Sequence, residues 1–411
     1  MCSSPTESGM MKQPAEDRKK QPPAATSKHG LSPTLIKAEP SYHASPIVAW
    51  ALVILCTSSF YIGPLLLLLP FMLYPFYPQA ASCLFATNLL LVFLPVAPYP
   101  PFRRYCQLFY KIFNFHHNVT PKLNEICKSE KRLSIVCVHP HAIIPLHGFI
   151  WSAICDQILP DVYGIGCTTD GALILPVLRH LLRYMNVGST SKKALLHGLQ
   201  NQNENLFILP GGVAEIFLSR RRSTHHDTTL SNTQTIKARR YGLMKLALQT
   251  GAVLYPSFVF GASDMLDQLT PSDPPPVVEN EKDENNTKNN NANETTTSNN
   301  DKKGFSFGNT MQKLSRKIGG GLTLYYGQFG LPIPFTPQLS MVVGDPIYPV
   351  VEAGGSTMKN VTGDKVTCTR IENPTKEQVE ELMERYVNAM YGLFEQYKEE
   401  AGYPNEKLQI I

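Results

Sequence analysis

The sequence predicts an α/β layered domain carried behind an apolar membrane hairpin. Three observations support this. No side chain between Ala44 and Phe102 is charged. Past that stretch, short apolar runs end in turn signals and alternate with helical patterns, the signature of α/β layering. Near the C-terminus, a long amphipathic pattern opens on a capping box.

Residues 1–43 are polar, rich in Pro, Ser and Lys, and without apolar periodicity, so a disordered tail is expected. No apolar stretch follows the start within signal-peptide distance. Residues 44–102 far exceed the roughly 20 apolar residues that one helical crossing needs. Ile47 to Pro70 and Ala80 to Val96 are the two candidate spans, with Pro75-Phe76-Tyr77-Pro78 as the turn. Lys28 and Lys37 lie before the pair and Arg103, Arg104 and Lys111 after it, which favours a hairpin returning to the cytosolic face. Pro64 and Pro70 could kink the first span, so the depth of insertion stays open.

Residues 103–411 form the expected catalytic-size domain. Leu108–Phe115 reads as an amphipathic or interfacial segment leading off the membrane. Strand-like runs follow at Leu133–Val138, Leu206–Leu209, Val253–Phe260 and Met341–Val343, with a helix at Tyr241–Gln249. Residues 271–304 are Asn-rich and nearly free of large apolar side chains, so they read as a disordered insert. At the C-terminus, Thr375 and Gln378 cap a helix whose stripe runs through Val379, Leu382, Met383, Tyr386, Val387, Met390 and Phe394.

Composition narrows the function classes. Nine cysteines without a C-x-x-C pair argue against a zinc ribbon or a disulfide framework. A net charge of +5, with no basic stripe interleaved with aromatics, does not point to nucleic acid. Gly304–Gly308, "GFSFG", matches a nucleophile elbow, but a polar run precedes it where a strand is required. "GIGCTTDG", residues 164–171, lacks the spacing of a dinucleotide loop.

Two turns carry the candidate chemistry. His139-Pro140-His141 ends a buried run, where ligands of α/β domains gather. Pro140 fixes its own φ and holds His139 extended. His141 could then take a proton from an alcohol, its unperturbed pKa being about 6.5; a hydrogen-bonded pair filling a turn is the alternative. A metal site with His147 would lack further ligands nearby, so no metal is expected. In "FILPGGVAEIF", Gly211 and Gly212 could bring backbone N–H groups to a developing oxyanion. Glu215 could orient His141 or an acceptor hydroxyl, or be an ordinary helix-start acid. Arg220, Arg221, Arg222, Lys237, Arg239 and Arg240 flank a polar loop and suit phosphate recognition, or a solvated or lipid-facing surface.

The order of these motifs resembles the type-2 diacylglycerol acyltransferase family, which includes monoacylglycerol and wax-ester acyltransferases. The likeness rests on His-Pro-His at 139–141, Gly-Gly-x-x-Glu at 211–215, the 239–261 segment, "GDPI" at 344–347 and the 372–398 segment. It implies an αβ sandwich like that of the glycerolipid acyltransferases. It also implies transfer of a fatty acyl group from acyl-CoA to a lipid hydroxyl at the endoplasmic reticulum membrane, the domain facing the cytosol. No cofactor is implied. Diacylglycerol is the first-choice acceptor, with monoacylglycerol and wax or phytyl alcohols as alternatives. A plastid envelope, oligomers and a non-enzymatic lipid-droplet scaffold also stay open. On this reading His141 is the base, His139 and Glu215 orient the site, Gly211 and Gly212 meet the oxyanion, and Lys237, Arg239 and Arg240 hold acyl-CoA. Three positions depart from the family pattern: Ala142 for a glycine, Ala262 for a glutamate, and Gln328 for an arginine. The aspartate that related enzymes carry five residues after the base is Leu146 here.

Overall fold

A computed structural model describes residues 45–119, 121–130, 132–222, 232–269, 307–318, 320–321, 323–350 and 369–411. The expected tail, the Asn-rich insert and most of the "GFSFG" stretch lie outside these residues.

The strands, in chain order, are β1 His116–Asn118, β2 Ser134–His139, β3 Gly164–Thr168, β4 Val187–Ser189, β5 Asn205–Ile208 and β6 Thr233–Ile236. They continue with β7 Val253–Phe260, β8 Asp267–Gln268, β9 Tyr325–Tyr326, β10 Ser340–Val343 and β11 Lys407–Ile410. Seven of them form one sheet in the order β1-β10-β7-β2-β5-β3-β4. Every pairing in it is parallel except β10 with β7.

Strand alternation gives the sheet two buried faces. Val136 and Val138 of β2 point into one core, and Ile135 and Cys137 into the other. Helices Pro46–Leu73, Pro100–Cys106, Leu146–Ile158 and Leu178–Tyr184 cover the first core. Helices Tyr241–Thr250 and Lys376–Tyr397 cover the second. The last of these starts on the expected capping box, with both reciprocal bonds made. Residues 164–171 are a strand and its exit: a Cβ on Gly164 would sit 2.0 Å from the Asn205 carbonyl oxygen, so glycine lets β3 approach β5. Leu108–Phe115 is amphipathic: a short helix and turn with Phe109, Phe113 and Phe115 in the first core and Lys111 and Asn114 exposed.

The apolar stretch folds as two helices, Pro46–Leu73 and Pro78–Phe93, and only the first is long and apolar enough to cross a membrane. Its buried residues Ala49, Val53, Cys56, Thr57, Ser59 and Gly63 recur at helical spacing and form a docking stripe against the domain. Polar groups fix the contact. The Tyr325 hydroxyl donates to the Thr57 carbonyl at 2.6 Å, the Thr57 hydroxyl donates to the Pro332 carbonyl at 2.5 Å, and Tyr61 stacks on Tyr325 with ring centroids 4.4 Å apart.

At Gly63 the approach is closest, because an added Cβ would meet the Leu175 Cβ at 2.9 Å. Gly63→Val is therefore expected to lower stability by about 1–3 kcal/mol through overpacking. The thermal midpoint in detergent measures it, with Gly242→Ala, whose added Cβ meets open space, as the variant that should not fall.

Candidate active site

β2 and β5 are neighbours in the sheet, so the turns that follow them lie side by side. His139 is the last residue of β2, and Gly211-Gly212 leads from β5 into the Gly212–Leu218 helix. Glu215, on the first turn of that helix, joins the two. Its Oε1 lies 2.9 Å from His139 Nδ1 and accepts the Lys237 amide at 2.7 Å. Its Oε2 accepts the His141 amide at 2.5 Å. Glu215 and His139 are both buried. Burial alone would raise the carboxyl pKa, but the His139 imidazole and the hydrogen bonds from His139, His141 and Lys237 pull it below its ordinary value.

Gly211 makes room for this carboxylate: a Cβ there would lie 1.8 Å from Glu215 Cδ. Gly212 has φ +53° and its amide donates to the Leu209 carbonyl at 3.2 Å. Glu215 thus grips the main chain of His141 and the ring of His139. The bond to the His141 ring comes from elsewhere. His141 Nδ1 lies 2.9 Å from the Ala142 carbonyl oxygen, an acceptor, so Nδ1 carries the proton and Nε2 is the basic nitrogen. Burial lowers the His141 pKa from 6.5, against the opposing effects of that carbonyl and of Glu215. Ala142 reaches this geometry at φ +58°. The alanine therefore occupies the left-handed backbone that a glycine would hold with less strain.

His141 lines a cavity of about 710 Å³, within the range of ligand sites. Its walls are chiefly apolar, among them Phe149, Leu175, Leu182, Phe207 and Val213, and the apolar helix contributes Phe60 and Pro64. Arg240, Lys192 and Lys245 supply cations and Thr168, Thr169 and Thr190 supply hydroxyls. Lys192 and Lys245 were not among the sequence candidates, because single cations on helices carry no local signature.

The expected basic dock does not assemble. Arg239 turns to the C-terminal helix, donating to Glu384 at 2.6 Å with Glu380 at 3.9 Å, and is not a cavity residue. Arg222 pairs with Asp264 and lies 3.4 Å from Glu406. Arg221 lies over the Phe335 ring at 3.6 Å. Lys237 serves the site through its amide. Of the three residues assigned to acyl-CoA, Arg240 alone lines the cavity, and its Nε donates to the Pro210 carbonyl at 2.7 Å. Part of the polar loop between these cations lies outside the described residues.

His147 is fully buried, with neither ring nitrogen hydrogen-bonded, and burial brings its pKa down to about 3. Among the described residues no group of three or more His, Cys, Asp or Glu side chains could hold a metal ion. Ala262 is buried in the turn after β7, and Asp264, two residues on, supplies that turn with a carboxylate. Gln328 donates through Nε2 to the Pro334 carbonyl at 2.8 Å.

The Mus musculus diacylglycerol O-acyltransferase 2-like protein 6 is 27% identical over 299 residues, covering 70% of this chain and 69% of its own. The Schizosaccharomyces pombe diacylglycerol O-acyltransferase 1 is 26% identical over 312 residues, covering 73% and 70%. Human acyl-CoA wax alcohol acyltransferase 1 is 24% identical over 278 residues, covering 64% and 66%. No solved structure matches the chain. The diacylglycerol acyltransferase family model matches residues 104–278 and 353–411, more than half of the sequence. The match and these relatives make the protein an acyltransferase enzyme: the chain belongs to the diacylglycerol acyltransferase family.

Proposed function

We propose that this enzyme is a membrane-bound O-acyltransferase, moving a fatty acyl group from acyl-CoA to a lipid hydroxyl, with diacylglycerol as the acceptor. The observation that carries the mechanism is His141, whose Nδ1 is occupied by the Ala142 carbonyl while the residue lines the cavity. In this reading Nε2 removes the proton as the acceptor oxygen attacks the thioester carbon. The tetrahedral intermediate collapses with cleavage of the C–S bond, and His141 returns its proton to the departing coenzyme A sulfur. The products are an ester and free coenzyme A. The oxyanion faces the Gly211–Gly212 turn, where the Gly212 amide would exchange its 3.2 Å bond to Leu209 for the developing charge.

The apolar walls suit an acyl chain, and Arg240, Lys192 and Lys245 suit the phosphates of coenzyme A. No resident cofactor takes part. The layered domain is read as a form of the glycerolipid-acyltransferase sandwich. The hairpin holds it against the endoplasmic reticulum membrane from the cytosolic side. The wax alcohol acyltransferase among the relatives keeps a long-chain alcohol as the second acceptor. Labelled acyl-CoA offered with diacylglycerol, monoacylglycerol, hexadecanol and phytol separates these readings. Ester formed from none of the four would overturn the function.

Two variants distinguish base from scaffold. His141→Ala should lower kcat by about 10²- to 10⁴-fold while the protein keeps its thermal midpoint. Glu215→Gln places an amide against main-chain donors. It should cost about 3 kcal/mol or more in stability, as the loss of one partner from a buried charged pair does.

The pH profile has a defined sign. A base with a depressed pKa gives kcat/KM an acid limb whose midpoint lies below 6.5, with a plateau on its alkaline side. An acid limb centred above 6.5 would contradict His141 as the base.

A further inference from the structure

We infer that the turn at residues 327–331 is a second membrane contact, a lipid-inserting wedge beside the hairpin. The inference rests on the membrane reading of that hairpin. Phe329 is 89% exposed and has φ +59°, a conformation that a bulky side chain rarely adopts. A strained backbone that holds an aromatic side chain out of the protein points to a surface built for contact.

The turn is rigid. Gly327 donates to the Leu331 carbonyl and Gln328 to the Ile333 carbonyl, both at 2.6 Å. A Cβ on Gly327 would lie 1.9 Å from the Ile333 oxygen. Leu331 is 52% exposed, and Leu324 and Leu269, joined by a 2.9 Å backbone bond, are 48% and 66% exposed. These four side chains form an apolar edge around β8 and β9.

A lipid leaflet is the occupant that the surroundings favour. The same segment is bonded to Thr57 and Tyr61 of the apolar helix, on either side of the turn, through Tyr325 and Pro332. Directly beyond Tyr61 that helix exposes Leu65, Leu68 and Phe71. The edge is therefore continuous with the part of the hairpin read as entering the membrane. Exposed Lys313 and Lys317 on the neighbouring Phe307–Ile318 helix add charge complementary to anionic headgroups. A wedge fixed to this helix would set the tilt of the domain, and so the height of the cavity wall formed by Phe60 and Pro64.

Tryptophan fluorescence tests this on the full chain in vesicles of phosphatidylcholine and phosphatidylserine, with and without bromine on the acyl chains. Phe329→Trp and Leu331→Trp are compared with the parent, which carries Trp50 and Trp151, and with Leu68→Trp in the hairpin. The expected result is a blue-shifted added emission at 329 and 331 that brominated chains quench as they quench position 68. Quenching at 68 alone, with water-like emission at 329 and 331, overturns the wedge and leaves the hairpin reading intact. A blue shift without quenching places the turn against protein, as in a pair of copies, and also overturns it. No quenching at any of the three positions removes the membrane reading itself, and this inference with it.

Discussion

The site depends on one buried carboxylate. Taking Glu215 out of water costs several kcal/mol, and only hydrogen bonds to its charged form offset this. It receives two main-chain amides and faces one imidazole, drawn from two separate segments of the chain. Each charge-assisted bond contributes about 1.5–3 kcal/mol, so the set is of the size needed to balance the burial. The balance holds only while Gly211 leaves its space empty. The Gly-Gly-x-x-Glu motif is thus a packing requirement as much as a chemical one. Its effect is to fix the main chain at His141 while leaving the imidazole to the cavity.

That arrangement sets the surroundings of the His141 imidazole. An aspartate five residues on would hold the ring and raise its pKa. Here Leu146 stands at that position, and a neutral carbonyl one residue away holds Nδ1 instead. A carbonyl fixes the tautomer as well as a carboxylate does but stabilises the imidazolium less. Burial shifts His141 further toward its neutral form, which suits an apolar cavity where a resident cation would be costly.

Much of the fold was legible because it rests on local rules. The capping box at Thr375, the apolar runs of β2 and β7, and the turns after β2 and β5 are all signals within a few residues. The short strands β1, β3 and β4 were not legible, since their pairing is decided by neighbours distant in sequence. Leu108–Phe115 carries the pattern of an interfacial segment, and only the packing of the apolar helices around it buries its aromatic rings. The basic cluster failed for the same reason. Arginines on either side of one polar loop are carried to different carboxylates, Arg222 to Asp264 and Arg239 to Glu384. The cavity was legible at His141 and unreadable at Phe60, Pro64, Lys192 and Lys245, which converge from three helices.

Part of the backbone strain lies at the cavity. Ala142, Val177 and Asn186 hold positive φ without being glycine: Ala142 follows the wall residue His141, Val177 comes two residues after Leu175, and Asn186 sits between Met185 and Val187. A left-handed backbone costs about 1–2 kcal/mol at a residue with a Cβ, and more for the branched Val177. Against a total stability of about 5–15 kcal/mol, three such positions persist only if the surrounding packing over-determines them. That packing is the sheet on one side and the docked apolar helix on the other. Loosening the helix would therefore relax the strained turns as well as open the wall at Phe60 and Pro64. The geometry at His141 and the attachment of the helix are thus a single mechanical unit, and a domain cut away from residues 46–73 would not keep the same cavity wall.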